Sequence, residues 1–388
     1  MKITEPENCT GCGACVDICP RNAVEIQQDD NGFPYTVIQE DKCVNCGLCQ
    51  KVCTGEKNCA ADTEQKYYIL KANNEDLLRK SSSGGAFTAI SDVVLEHGGC
   101  VYGCAFDADG MPIHIRAGEK PVRDLMRGSK YVQSPLIGIY RQVENDLRQG
   151  REVLFTGTPC QVDAIQRYLC IKKIDMENLI TMDIICHGVP PRGVWKEYLA
   201  DLEKRYHGKA NQISFRTKKK GSNGQELTVI FDNGKCYIAP SGHDLFYDAF
   251  LRNLILCKNC FACKYCSWER SSDITVADYW GKEGLKTIQH DYLRESSLIL
   301  NSEKGKRVFC EITGAYQVEQ VEKERVMQHN LEHATRKPAV YDEFMRIKGS
   351  LFMKLWNVSS AKKRCLFLMN RFGLSGIYTR TKRKWGNK

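Results

Sequence analysis

Two matching cysteine blocks constrain this chain more than any other feature: Cys9-x2-Cys12-x2-Cys15-x3-Cys19 followed by Pro20, and Cys43-x2-Cys46-x2-Cys49-x3-Cys53. Three thiols at this spacing wrap a tight loop around one face of an iron–sulfur cube, and Gly11, Gly13 and Gly47 remove side chains where the backbone turns closely. The fourth cysteine of each block lies on a following helical turn, and where two such blocks occur together it reaches the other cluster. Two [4Fe-4S] clusters are therefore expected, one on Cys9, Cys12, Cys15 and Cys53, the other on Cys43, Cys46, Cys49 and Cys19. Zinc is the alternative, but zinc sites usually pair two widely separated cysteine couples.

Over residues 1–62 this pattern resembles the bacterial-type two-cluster ferredoxin, with one departure: Thr54 follows Cys53 where that family usually has proline, as at Pro20. Cys59 is spare. The chain holds 21 cysteines in 388 residues. Its N-terminus, Met-Lys-Ile-Thr-Glu-Pro, carries acid and proline where an export signal is apolar. The expected setting is thus cytoplasmic, where thiols stay reduced and serve as metal ligands or redox centres. No apolar run approaches the ~18 residues that span a bilayer. Charge is uneven: net −5 over residues 1–62 and +9 over residues 359–388, within a total of +9. The acidic head either steers a basic partner or is a solvated surface.

Beyond residue 62 cysteines thin out and ordinary alternation begins. Residues 67–72 read as a strand, and Ser81-Ser82-Ser83-Gly84-Gly85-Ala86 opens a helix with apolar Phe87, Ile90, Val94 and Leu95 and a stop at Gly98-Gly99. A Ser/Gly turn before a helix can cradle a phosphate or be merely a cap. Residues 151–155 form a second strand, Thr156-Gly157-Thr158-Pro159-Cys160-Gln161 a turn, and 162–169 a helix, a unit that calls for a parallel sheet. Cys160 at that helix start reads as a reactive thiolate or as a small buried residue. A third strand over 179–185 ends at Cys186-His187-Gly188, and Asp232-Asn233-Gly234 marks a hairpin that makes the sheet mixed. The fold class expected is an α+β ferredoxin-like dicluster head followed by an α/β domain with a mixed, largely parallel sheet.

A third block, Cys257-x2-Cys260-x2-Cys263-x2-Cys266, can supply ligands to one more cluster with Cys186 as a distant partner, zinc being the rival. Together with Val101-Tyr102-Gly103-Cys104, Arg127-Gly128-Ser129-Lys130-Tyr131, residues 155–161, 183–188 and 273–281, it makes residues 66–345 resemble the beta subunit family of coenzyme F420 hydrogenases and dehydrogenases. The resemblance implies FAD bound at Ser82, Ser83, Gly84, Gly85 and Ala86, with Lys130, Tyr131, Thr156, Gly157 and Thr158 near the flavin. It implies a body cluster with Cys186, Cys260 and Cys263 among its ligands. Cys266 is the first choice for the fourth ligand and Cys257 the second.

A flavin body fused to a two-cluster head reads as an iron–sulfur flavoprotein oxidoreductase, a converter between hydride chemistry and single-electron transfer. The alternatives are a non-catalytic electron-relay subunit for a partner enzyme, in cell-surface polysaccharide synthesis among other settings, and a zinc-stabilised interaction protein. The expected partners are a ferredoxin-like or other redox protein and a small-molecule donor or acceptor. No catalytic side chain stands out, and His187 is the histidine nearest the motifs. No Gly-x-Gly-x-x-Gly follows a strand, so a Rossmann nicotinamide site lacks support, and nothing points to nucleic acid. Residues 346–388 form a basic amphipathic tail suited to the inner face of a membrane, or a docked helix with a solvated end. Lys218-Lys219-Lys220-Gly221 reads as a solvated loop.

Overall fold

The computed structural model describes residues 3–54, 64–219, 224–281, 284–312 and 314–371. Cys59, Lys220, Gly221 and residues 372–388 of the tail lie outside them.

In the head, two short helices, α1 (Ala14–Asp17) and α2 (Leu48–Thr54), flank an antiparallel hairpin of β1 (Val24–Gln28) and β2 (Pro34–Ile38). The body is built on an eight-stranded sheet. Its strands are β3 (Lys66–Ala72), β4 (Cys100–Phe106), β5 (Pro112–Ala117), β6 (Val153–Gly157), β7 (Leu179–Ile184), then β11 (Ile274–Asp278), β12 (Ser296–Leu300) and β13 (Tyr316–Val321). Between them in sequence, β8 (Ala210–Ser214), β9 (Glu226–Phe231) and β10 (Cys236–Pro240) form a separate antiparallel sheet of three. The main order is β13-β3-β12-β11-β7-β6-β4-β5. The central four, β11, β7, β6 and β4, run parallel, while β5, β12 and β13 are antiparallel to their neighbours. The Asp232 hairpin exists, joining β9 to β10, but it belongs to the small sheet; the mixed character of the main one comes from β5, β12 and β13. A turn motif fixes a local pairing and cannot say which sheet the pair will join.

Helices cover both faces of the main sheet. After α3 (Glu75–Lys80), α4 (Ala86–Glu96) packs on one face with α10 (Glu303–Cys310), with α5 (Lys120–Asp124) beside it. α6 (Ile139–Arg148) and α7 (Pro159–Ile171) cover the other. Gly99 is where α4 hands the chain to β4, since a Cβ there would lie 2.6 Å from the Glu152 carbonyl oxygen. The head rests on α6 and α7: Ala14, Cys15, Ile18, Val24 and Val52 share one core with Tyr140, Val143, Ile165 and Tyr168. Each large aliphatic side chain buried in this way contributes roughly 1.5–3 kcal/mol, so the head is held as part of the body's core.

The small sheet packs with α8 (Arg192–Tyr206) and α9 (Leu245–Leu251), then with α11 (Tyr341–Arg346), α12 (Leu351–Asn357) and α13 (Ala361–Arg371). The described part of the tail therefore turns its apolar side chains, among them Leu351, Leu355 and Phe367, into this core. Asn370 fastens the last helix by donating to the Tyr237 hydroxyl at 2.7 Å and to the His243 carbonyl at 3.0 Å. Among the described residues no helix is long and apolar enough to cross a membrane.

Candidate functional site

The head cysteines sit where glycine lets the backbone turn. Gly11, Gly13 and Gly47 all have positive φ, and a Cβ on Gly13 would press within 2.9 Å of Ile137 Cγ1 in the body. Burial pushes the Cys9 thiol up to about 11, and the neighbouring Cys12 and Cys53 add to the rise. Cys15 is raised by burial and by Cys12, Cys53, Cys9 and Cys49. Burial also raises Cys49, to which Cys19 and Cys46 contribute. Cys53 thus stands with the first block and Cys19 with the second. Cys19, Cys43, Cys46 and Cys49 line one cleft, with Val24, Ile38 and Leu48 as its apolar wall. An all-thiol donor set around an apolar cleft fits an iron–sulfur cluster, which would deprotonate the raised thiols on binding. Among the described residues no three His, Cys, Asp or Glu side chains gather to hold a single metal ion.

The body cysteines collect at the carboxyl end of β7. Burial pushes Cys186 up to about 12, reinforced by Cys260 and Cys263. Cys263 accepts from Cys266, which lowers it to about 6 and raises its donor. Cys266 is electrostatically coupled to Cys263 and Cys186, whereas Cys257 is coupled to Cys160 and to Cys9 of the head. Cys160 lies between the two groups, within reach of Cys186, Cys263 and Cys12. The helix start does not make it a thiolate: burial wins, its pKa is raised, and its sulfur rests 3.2 Å from Thr158 Oγ1. His187 is half-buried, held through Nε2 to Asn253 at 2.7 Å.

The Ser/Gly turn lies at the carboxyl end of β3. Ser83 Oγ and Ser296 Oγ are 3.0 Å apart, and Ser296 Oγ accepts from the Gly84 N–H at 2.8 Å. A Cβ on Gly84 would fall 2.0 Å from the Leu70 carbonyl oxygen, so only glycine brings the turn this close to the sheet. Gly85, φ +94, starts α4 without a side-chain cap, which leaves the helix N-terminus to an anion. Lys218 is not in a solvated loop. It is 6% exposed, and its ammonium donates to the Ser83 and Leu78 carbonyls at 2.8 Å each and to that of Leu293. Burial lowers it to about 7. Lys219, next to it, is exposed and pairs with Glu226 at 3.0 Å. A run of lysines reads as solvent-facing because nothing in it reveals which ammonium finds buried carbonyls.

Residues 128–140 tie the parts together. The Ser129 N–H donates to Ser82 Oγ at 2.7 Å. Lys130, lowered to about 8 by burial, donates to the Met126 and Arg127 carbonyls at 2.7 and 2.8 Å, so its ammonium serves the preceding turn. The Tyr131 hydroxyl accepts from Arg216 at 3.0 Å, and Arg216 pairs with Asp278 at 2.6 Å. Gln133 reaches the Thr10 carbonyl, Asp17 accepts from the Gly138 N–H at 2.7 Å, and the Tyr140 hydroxyl donates to the Cys12 carbonyl at 2.9 Å. Thr158 and Gln161 form a capping box over α7, and Gln161 donates to the Ser134 carbonyl at 2.9 Å. One segment thus runs from the Ser82 turn, past Thr156, Gly157 and Thr158, to the first head cysteines. Sequence reading gave no role to Arg216, Asp278, Ser134 or Ser296 and placed Lys218 in solvent; each is brought in by long-range contact.

His114 was missed as well. Its ring bridges the Thr156 carbonyl at 2.9 Å and Ser134 Oγ at 2.8 Å, and burial lowers it to about 4. A folded pKa below the unfolded value of about 6.5 means that stability present above pH 6.5 is lost as pH falls toward 4, by up to about 3 kcal/mol. Urea midpoints at pH 7 and pH 4.5 are expected to differ less in His114→Gln than in the natural chain.

Comparison with known proteins adds the following. Residues 150–325 match the family described as the C terminus of the coenzyme F420 hydrogenase/dehydrogenase beta subunit, and residues 8–56 match a 4Fe-4S dicluster domain. Among solved structures, a chain of the F420-reducing [NiFe] hydrogenase complex from Methanosarcina barkeri matches at 16% identity. The match covers 66% of this chain and 82% of that one, with a TM-score of 0.47. No curated protein matches by sequence.

Proposed function

We propose that this chain, whose residues 8–56 match a 4Fe-4S dicluster domain and 150–325 the C-terminal region of the coenzyme F420 hydrogenase/dehydrogenase beta subunit, is an iron–sulfur oxidoreductase component that couples one-electron traffic to hydride chemistry at FAD. Cys43, Cys46, Cys49 and Cys19 would hold an outer cluster and Cys9, Cys12, Cys15 and Cys53 an inner one. Cys186, Cys260, Cys263 and Cys266 would hold a third. Cys266 is preferred to Cys257 because it acts on two of the proposed ligands, Cys186 and Cys263, while Cys257 acts on Cys260 alone of them and otherwise on Cys160 and the head. Bound flavin accepts two electrons as a hydride and releases them singly, whereas each cluster carries one.

One observation carries this reading: thiols of the two head blocks and of the body lie near enough to act on one another electrostatically, from exposed Cys46 in the second block to the body set. Exposed Cys46 neighbours Cys49, Cys49 neighbours Cys15, and Cys12 neighbours Cys160, which neighbours Cys186 and Cys263. The protein's own task is then to bind and to exclude water. The uncapped start of α4 and the Ser82 turn would take the FAD phosphates, Lys218 braces that turn from behind, and Arg216 with Asp278 holds the Tyr131 hydroxyl at its side.

Anaerobic purification with metal, sulfide and flavin analysis tests the proposal. About 12 iron and one FAD per chain are expected, falling to about 8 iron with FAD retained in Cys260→Ser. Iron without flavin, and no uptake of added FAD, would leave a relay subunit. About 8 iron with one zinc would make the body set structural, and colourless protein would remove the reading altogether. Reduction by F420H2, NADH or reduced ferredoxin then identifies the donor.

A further inference from the structure

α7 carries Asp163 and Arg167, one helical turn apart, into the seam between head and body. Both are buried, Asp163 completely and Arg167 at 8% exposure. Arg167 donates through Nη1 to the carbonyl of Cys53 at 2.8 Å and pairs through Nη2 with Asp163 at 2.9 Å. Asp163 in turn accepts from the Tyr265 hydroxyl at 2.5 Å, and Tyr265 stands in the body loop between Cys263 and Cys266. The ion pair therefore has a direction. Its positive end donates to the backbone of an inner head cysteine at 2.8 Å and reaches the Tyr265 hydroxyl at 3.4 Å, whereas its negative end holds that hydroxyl of the body cysteine loop at 2.5 Å.

Charge this close acts strongly where water is excluded. A cluster that gains an electron becomes more negative, so a nearby cation and an N–H aimed at a ligand's carbonyl favour its reduced form, and an anion opposes it. We propose that the Arg167–Asp163 pair sets the difference in reduction potential between the inner head cluster and the body cluster, raising the first relative to the second. An electron shared between them then rests on the head, ready to leave through the outer set. This rests on the cluster assignment proposed above and adds to it a tuning role for two residues outside the ligand sets.

The test is a redox titration of the anaerobically prepared full-length holoprotein, followed by EPR. Cys46→Ser and Cys260→Ser identify the outer and body signals by their loss. Arg167→Gln is expected to lower the inner midpoint relative to the body's, changing the electron distribution about tenfold, which is a shift of about 59 mV for a one-electron couple. Asp163→Asn is expected to raise the body midpoint instead, so that either variant narrows the gap between the two clusters, one by a downward and the other by an upward shift, and Arg167→Lys to stay near the natural value. A merely structural role would not give shifts of opposite sign. Unchanged midpoints at full iron content, or shifts of the same sign in both variants, would overturn the proposal while leaving the cluster assignment standing. A natural chain without EPR-active clusters would overturn both. Should Arg167→Gln lose iron, Asp163→Asn and Arg167→Lys decide.

Discussion

Gly84→Ala is expected to melt far below the natural chain. The added methyl would sit 2.0 Å from the Leu70 carbonyl oxygen and 2.5 Å from the Ser296 backbone nitrogen, and both belong to strands at the heart of the main sheet. Neither can give way as the end of a flexible side chain would. The turn must lift off the sheet, breaking the Gly84 bond to Ser296 Oγ and displacing the Ser83 carbonyl from Lys218. A loss above about 4 kcal/mol is expected, in the range that diagnoses overpacking with a broken buried network. Gly98→Ala is the control. Gly98 has positive φ, +76, and a Cβ there meets nothing within 4 Å, so only the backbone cost of roughly 1 kcal/mol remains. Thermal melts of the two variants should separate widely. If Gly84→Ala melts with the natural chain, the Ser82 turn does not pack as described, and the FAD assignment loses its cradle.

The second large effect is expected at Arg270. Its guanidinium pairs with Asp183 at 2.7 Å and donates to the carbonyls of Ile184 and Tyr265 at 3.0 Å each. Both partners of the pair are at most 2% exposed. Burial pushes the Asp183 carboxyl up, while Arg270 and the Thr275 hydroxyl, 2.6 Å away, hold it down. Arg270→Met strands that carboxylate, at an expected cost of about 3–5 kcal/mol, measured by urea denaturation. It also frees the loop bearing Cys263 and Cys266 from the end of β7, two residues before Cys186, so iron should fall from about 12 to about 8 per chain. Adding Asp183→Leu should restore much of the stability, since no charge is then left unpaired, but not the iron. Recovery of both together would mean that Arg270 supports the fold alone and does not position the cysteine loop.

Why were some parts of this molecule legible in advance and others not? The strand over 67–72, the helix opening at Ala86 and the strand–turn–helix through Thr158 appear within three residues of their expected limits, because apolar period and Gly/Ser punctuation are written locally. The Asp232 hairpin was equally local, yet its sheet was not legible: β9 pairs with β8, the strand just before it in sequence, and not with any strand of the main sheet, a choice that no turn motif records. Lys218 and Cys160 mark the other boundary. A lysine in a basic run reads as solvent-facing and a thiol at a helix start reads either way, whereas burial, for Lys218 against the Leu78, Ser83 and Leu293 carbonyls, decided their charge.

From its own letters the chain declared eight head cysteines, their repeated spacing and the alternating units of an open α/β sheet, since ligand spacing and hydrophobic period are properties of a few consecutive residues. Folding decided the rest: that Cys160 stands between two thiol groups, that residues 128–140 join the Ser82 turn to Cys12, and that Arg167 touches head and body at once. Those relations pair residues far apart in sequence, and only the common core that buries them together sets their distances and the low dielectric in which their charges act.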